Sequence, residues 1–290
     1  MAGRLQRTVQ LAPVRLIIGI AILVGCSILV QMALKGLRAL GLAGDVRLLL
    51  ETVVSVVTVV ALYLAFVRWI ERRRPTELGR VGAARELGLG LVLGATLLCA
   101  SIGTIWVLGG LEMGGVDPQG SLAPALALAI GAGVNEEILV RGVVFRLLEE
   151  WLGTWAALAI SAALFGLGHL ANPHATWASA AAIALEAGIL LAAAYLVTRR
   201  LWLPIGMHIA WNFTQGGIFG VAVSGHESHG LLRSVASGPE WLSGGEFGVE
   251  ASVVSVTLCL AAAVVLLWLA LRKRGAVAPS WRRRRPAVAP

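Results

Sequence analysis

Eight apolar stretches divide the chain, at about 16–34, 48–70, 87–109, 122–148, 155–171, 176–198, 203–223 and 251–271. A spanning helix needs about 20 predominantly apolar residues, and most of these runs reach that length. They predict an all-α, polytopic membrane helical bundle of about eight helices, a single integral membrane domain over 1–290. Composition points the same way: 58% of residues are hydrophobic and 14% charged, where a soluble domain has about half and about a quarter.

The net charge of +8 would suggest a nucleic-acid partner in a soluble protein. Here the basic residues fall at the ends of apolar runs, where they orient helices toward an anionic cytoplasmic leaflet, so the partner is the lipid bilayer and no nucleic acid is expected. With eight spans and the N-terminus inside, the inner segments hold Arg4, Arg7 and Arg15, then Arg68, Arg72, Arg73, Arg74, Arg80 and Arg85, then Arg146, then Arg199 and Arg200. The 272–290 tail adds Arg272, Lys273, Arg274 and the Arg282–Arg285 run, and is expected in the cytoplasm. The outer segments hold Lys35, Arg38, Arg47 and Arg233. That asymmetry places both termini in the cytoplasm. The 224–250 connection, rich in Gly, Ser and Glu, is then an external loop, expected to be irregular. Arginine outnumbers lysine, and Ala, Gly and Val abound, a bias that points to a GC-rich bacterial genome and so to a bacterial inner (cytoplasmic) membrane.

The three cysteines, Cys26, Cys99 and Cys259, all lie in apolar stretches without CxxC spacing. They read as small buried hydrophobes, not as a disulfide framework or a zinc site. Leu23-Val24-Gly25-Cys26 resembles a lipoprotein cleavage box, yet the apolar run continues past the cysteine to about Leu34, unlike a cleaved signal.

Polar groups interrupt three of the runs. Glu136-Glu137 stands in the fourth, with Arg141 one turn later; His169 ends the fifth; His208 and Asn212 share one face of the seventh. An ionisable residue inside a span is a functional-site candidate by default. A buried ion pair that only fixes helix packing would explain Glu137 and Arg141 but leaves Glu136 without a partner in its segment. A carboxylate beside an imidazole can take a proton from water, and a second histidine with an amide can donate to an oxyanion. The set Glu136, His169 and His208 could instead hold a divalent metal such as zinc. No serine or cysteine is spaced as a nucleophile beside a base, so peptide hydrolysis by activated water suits these residue types. Glu186, mid-span, reads as an interhelical or cavity contact, and His174, His226 and His229 as solvated loop residues.

Glu136-Glu137-x-x-x-Arg141, Phe165-x-x-x-His169 and His208-x-x-x-Asn212 resemble, in order and spacing, the three motifs of the CAAX protease and bacteriocin-processing family of intramembrane endopeptidases, also called type II CAAX prenyl endopeptidase-like. The surroundings are similar too: Arg74-Pro75-Thr76-Glu77-Leu78-Gly79, Asn172-Pro173 and Leu203-Pro204-Ile205-Gly206, so the likeness covers about 70–215. It implies a bundle of about eight spans enclosing a polar cavity, with a peptide or membrane-protein substrate. By position, Glu136 assisted by His208 would activate the water, His169 and Asn212 would stabilise the oxyanion, and Glu137 with Arg141 would hold the site in shape. Both metalloprotease and metal-free glutamate mechanisms are ascribed to this family, and the chain lacks an HExxH pair. Two other readings stay open on sequence grounds: a catalytically silent relative acting as a regulatory or bacteriocin-immunity membrane protein, and a proton-coupled transporter. The sequence names neither the substrate nor the oligomeric state.

Overall fold

The computed structural model describes residues 6, 8–35 and 44–283, so Arg4, Arg7, Arg38, Arg284, Arg285 and the end of the basic tail lie outside the described residues. Among those residues seven helices are long and apolar enough to cross a membrane. They are α1 (Ala12–Lys35), α2 (Gly44–Ile70), α3 (Ala83–Val107), α4 (Leu122–Leu152), α5 (Thr154–Ala171), α6 (Trp177–Thr198) and α8 (Val253–Arg274). Between the last two comes α7, Trp202–Asn212, which continues as a widened, π-type turn through Phe213–Ile218. The protein is an all-α polytopic bundle.

Helix α7 is therefore shorter than the 203–223 apolar run. Gly220 follows with φ +63°, a left-handed conformation that ends a helix at little cost for glycine. Val221, Ala222 and Val223 are apolar but leave the helix, and Val223 becomes part of a cavity wall. Hydropathy reports that these residues leave water; it does not report where the helix stops.

The bundle has two unlike ends. At one, buried Glu71 takes Arg146 at 2.8 Å, Arg73 at 2.8 Å and Arg15 at 3.5 Å, and Glu77 takes Arg73 at 2.9 Å. Arg199 pairs with Glu149, and Arg200 with Glu86 at 3.2 Å. Burial opposes the Arg73 charge, but the bond and attraction of Glu77, with Glu71, hold its guanidinium above its ordinary range. Arg146 belongs to this network inside α4 and is not a loop residue. At the other end, β1 (Leu111–Val116) pairs antiparallel with β2 (Leu232–Ala236), Met113 opposite Ser234. The 224–250 connection is thus not wholly irregular: it carries β2 and a short helix, Glu240–Ser243.

Helix α7 sits in the middle because glycines let it approach its neighbours. A Cβ at Gly94 of α3 would lie 2.2 Å from the Met207 carbonyl oxygen, and one at Gly206 of α7 would lie 2.4 Å from that of Leu87. On α4, a Cβ at Gly133 would meet Ile209 at 2.6 Å. In lipid, where burial of apolar surface gives no drive between helices, such close packing is a main source of association. It brings His208 to the face of α4 that carries Glu137.

Candidate active site

Helix α4 presents its two adjacent carboxylates in different directions, as an advance of one residue on a helix requires. Glu137 is fully buried, whereas the Glu136 side chain keeps 37% of its surface exposed, towards a cavity. Just beyond, α4 widens into a π-type stretch, Ile138–Phe145, that carries Arg141; such bulges are frequent at functional sites. Arg141 donates to Glu137 Oε1 at 2.7 Å and to the carbonyls of Ala187 and Gly188 at 2.9 and 3.2 Å. Those carbonyls belong to a second widened stretch, Ala184–Gly188 in α6. Both terminal nitrogens of the guanidinium are thus paired or bonded, as a charge in a low-dielectric site requires, while Arg141 Nε and Glu137 Oε2 find no partner among the described residues.

Phe165 binds three of these groups together. The Arg141 guanidinium lies 4.6 Å from its ring centroid, the His169 ring 4.8 Å and the His208 ring 6.3 Å, edge-on. A cation over a desolvated ring is worth about 2 kcal/mol, so Phe165 fixes Arg141 as well as the two imidazoles.

His208 Nδ1 lies 3.0 Å from Glu137 Oε1. A carboxylate oxygen facing Arg141 only accepts, so Nδ1 carries the hydrogen and donates it. Nε2 is then directed at Glu136 Oε2, 4.0 Å away. That oxygen is itself shielded and has no hydrogen-bond partner among the described residues. With the His208 ring neutral, two acceptors face one another across a gap too wide for a direct bond. A water spanning it, with arms of about 2.8 Å, would give one hydrogen to each and turn its lone pairs outward.

His169 Nδ1 donates to the Phe165 carbonyl at 2.8 Å. Its other nitrogen, on a ring that lines the cavity, is therefore a lone pair when the ring is neutral and a donor only as imidazolium. Asn212 carries an amide that bonds to no other described residue. Two adjoining cavities share His169, His208, Asn212 and Ser224. The wider, about 510 Å³, holds Glu136. The narrower recess ends on Glu186 and Glu250.

Those two carboxylates, with Ser224 and Gln215, complete the surroundings. Glu186 is buried, with Cys259 Sγ 3.5 Å from its Oε1, and stands in the cavity wall without reaching Glu136 or His208. Glu250 accepts from the Ser224 hydroxyl at 2.8 Å, from the Ser224 amide and from Gln215 Nε2. Burial pushes its carboxyl above the ordinary range, against the pull of those bonds. Asn172 fixes the same loop, donating to the Ser224 carbonyl at 3.1 Å. Glu250 had no sequence signal beyond its type, since it lies in the Gly- and Ser-rich connection. His226 and His229 are exposed, and His174 pairs with Glu246 at 2.9 Å.

Among the described residues no three His, Cys, Asp or Glu side chains are gathered as a metal site. Glu136, His169 and His208 line one cavity but are not gathered into such a group, so their fit to a metal is not established by this arrangement.

With this geometry in view, residues 118–214 match the family described as Type II CAAX prenyl endopeptidase Rce1-like. The matched segment runs from just before α4 to just past α7 and contains all seven named residues of the three motifs. No curated protein and no solved structure matches the chain. The segment is thus an Rce1-like domain, in the family that the motifs resemble.

Proposed function

We propose that this Rce1-like protein is an intramembrane endopeptidase that hydrolyses peptide bonds with a water activated by Glu136 and His208. The observation that carries the reading is the 4.0 Å gap between Glu136 Oε2 and His208 Nε2, which no donor among the described residues fills. A water held there loses a proton to Glu136 as its oxygen attacks the carbonyl carbon. The oxyanion is met by the Asn212 amide, and by His169 when that ring is protonated. Collapse breaks the C–N bond, and the proton on Glu136 passes to the leaving amine. Glu137 holds His208 in the tautomer that leaves Nε2 open, and Arg141 balances Glu137, so these two are positioning residues.

The fold supports a multi-pass protein, the crowding of arginine at one end of the bundle supports both termini in the cytoplasm, and the preference for Arg over Lys with abundant Ala, Gly and Val supports a bacterial inner membrane. Membranes bearing the wild-type protein should release peptides that membranes bearing Glu136→Gln do not. Identical peptide sets would favour the silent, regulatory reading, and a proton flux abolished by Glu136→Gln with no peptide difference would favour the transporter.

A further inference from the structure

The cavity that holds Glu136 opens at the end of the bundle carrying β1 and β2, where Val223, Ser224, Glu227 and Ser228 form its rim. Arginine and lysine crowd the opposite end; among the described residues this end holds Lys35, Arg47 and Arg233. Membrane proteins keep their excess of Lys and Arg on the cytoplasmic side, so the mouth faces away from the cytoplasm.

A surface groove of about 630 Å³ adjoins this mouth and shares Glu227 and Ser228 with it. Strand β2 contributes Arg233, Ser234 and Val235 in succession. Successive strand side chains point to opposite faces, so three in a row mean that the groove follows the edge of the strand. No residue of Leu111–Val116 lines it; its other walls are the turn after β1, Asp117–Gln119, with Gly220 and Ala222, and β1 occupies only one of the two edges of β2. Among the described residues, no hydrogen bond other than the pairing with β1 reaches the backbone of Leu232–Ala236. Such an edge is a template for an added strand.

We propose that the substrate is an extracytoplasmic peptide segment in extended form, which adds to the free edge of β2 and passes Glu227 and Ser228 to reach Glu136. This rests on the hydrolytic reading above and adds to it the face of entry and the docking strand. An extended chain supplies the backbone donors and acceptors that the β2 edge lacks. The groove leads it directly to the catalytic carboxylate.

Two measurements test it, both on Glu136→Gln protein so that neither depends on cleavage. In the first, Glu227→Cys is labelled with a membrane-impermeant maleimide in spheroplasts and in sealed inside-out vesicles, against the protein without that cysteine. Labelling in spheroplasts is expected; labelling that prefers inside-out vesicles, or does not distinguish the two, overturns the outward mouth. In the second, a benzophenone amino acid replaces Val235, and a fluorescent peptide of alternating valine and threonine is compared with its twin N-methylated at alternate residues. Cross-linking should fall about tenfold with the twin, the effect of losing one or two net hydrogen bonds. Equal yields, or no cross-link to either peptide, overturn docking on β2. A failure of hydrolysis itself would leave both results standing and is read separately, from the peptides that the wild-type protein releases.

Discussion

His208 and Arg141 converge on one oxygen of Glu137, at 3.0 and 2.7 Å, so a single buried carboxylate sets both the imidazole tautomer and the guanidinium position. Glu137→Gln keeps the shape but leaves Arg141 without its charge partner. Breaking a buried pair costs about 3–5 kcal/mol. The variant should show a lower melting temperature in detergent, along with lost cleavage. A wild-type melting curve would mean that Arg141 is balanced elsewhere.

The approach of α3 to α7 should be equally sensitive. A methyl group at Gly94 would stand 2.2 Å from the Met207 carbonyl, next to His208, whereas one at Gly88 meets nothing within 4 Å. Gly94→Ala should destabilise by about 1–3 kcal/mol, as overpacking does, and displace His208, reducing cleavage. Gly88→Ala on the same helix, clear of any described neighbour, should instead raise stability by about 0.5–1 kcal/mol, the difference in helix propensity. Parallel melting curves check both, and equal curves would contradict the packing described.

Glu250 makes a prediction about pH. Its folded-state carboxyl is raised by burial above the ordinary range, so the folded protein holds that proton more firmly than the unfolded chain. The stability it contributes is complete below the ordinary carboxylate range and is lost as pH rises through the raised folded value. Melting temperature should therefore decline over that window, and Glu250→Gln should flatten the decline. An unchanged slope in Glu250→Gln would show that another group is responsible.

The helical class and most of the spans were legible because apolar runs of spanning length admit few alternatives. The motif residues were legible by type and spacing, and the split between Glu136 and Glu137 followed from helix periodicity. The contact of Glu137 with His208 was not, because periodicity gives the direction of a side chain and not which helix it meets. The end of α7 was hidden because Val221 and Val223 are as apolar in a loop wall as in a span. The β1–β2 pair joins segments far apart in the chain, one of them rich in glycine, so neither showed a clear alternation. Glu71 and Glu77 lie among arginines that signalled topology, and that signal masked their buried pairing with Arg15, Arg73 and Arg146.

The central claim is that Glu136 takes the proton from the attacking water. Purified wild-type and Glu136→Gln proteins, matched by melting curve, should be compared for the rate at which they cleave a peptide released by the wild-type membrane. The account predicts equal stability and a cleavage rate lower by about 10² or more in Glu136→Gln, the range for losing a general base. Cleavage at the wild-type rate by Glu136→Gln would contradict it.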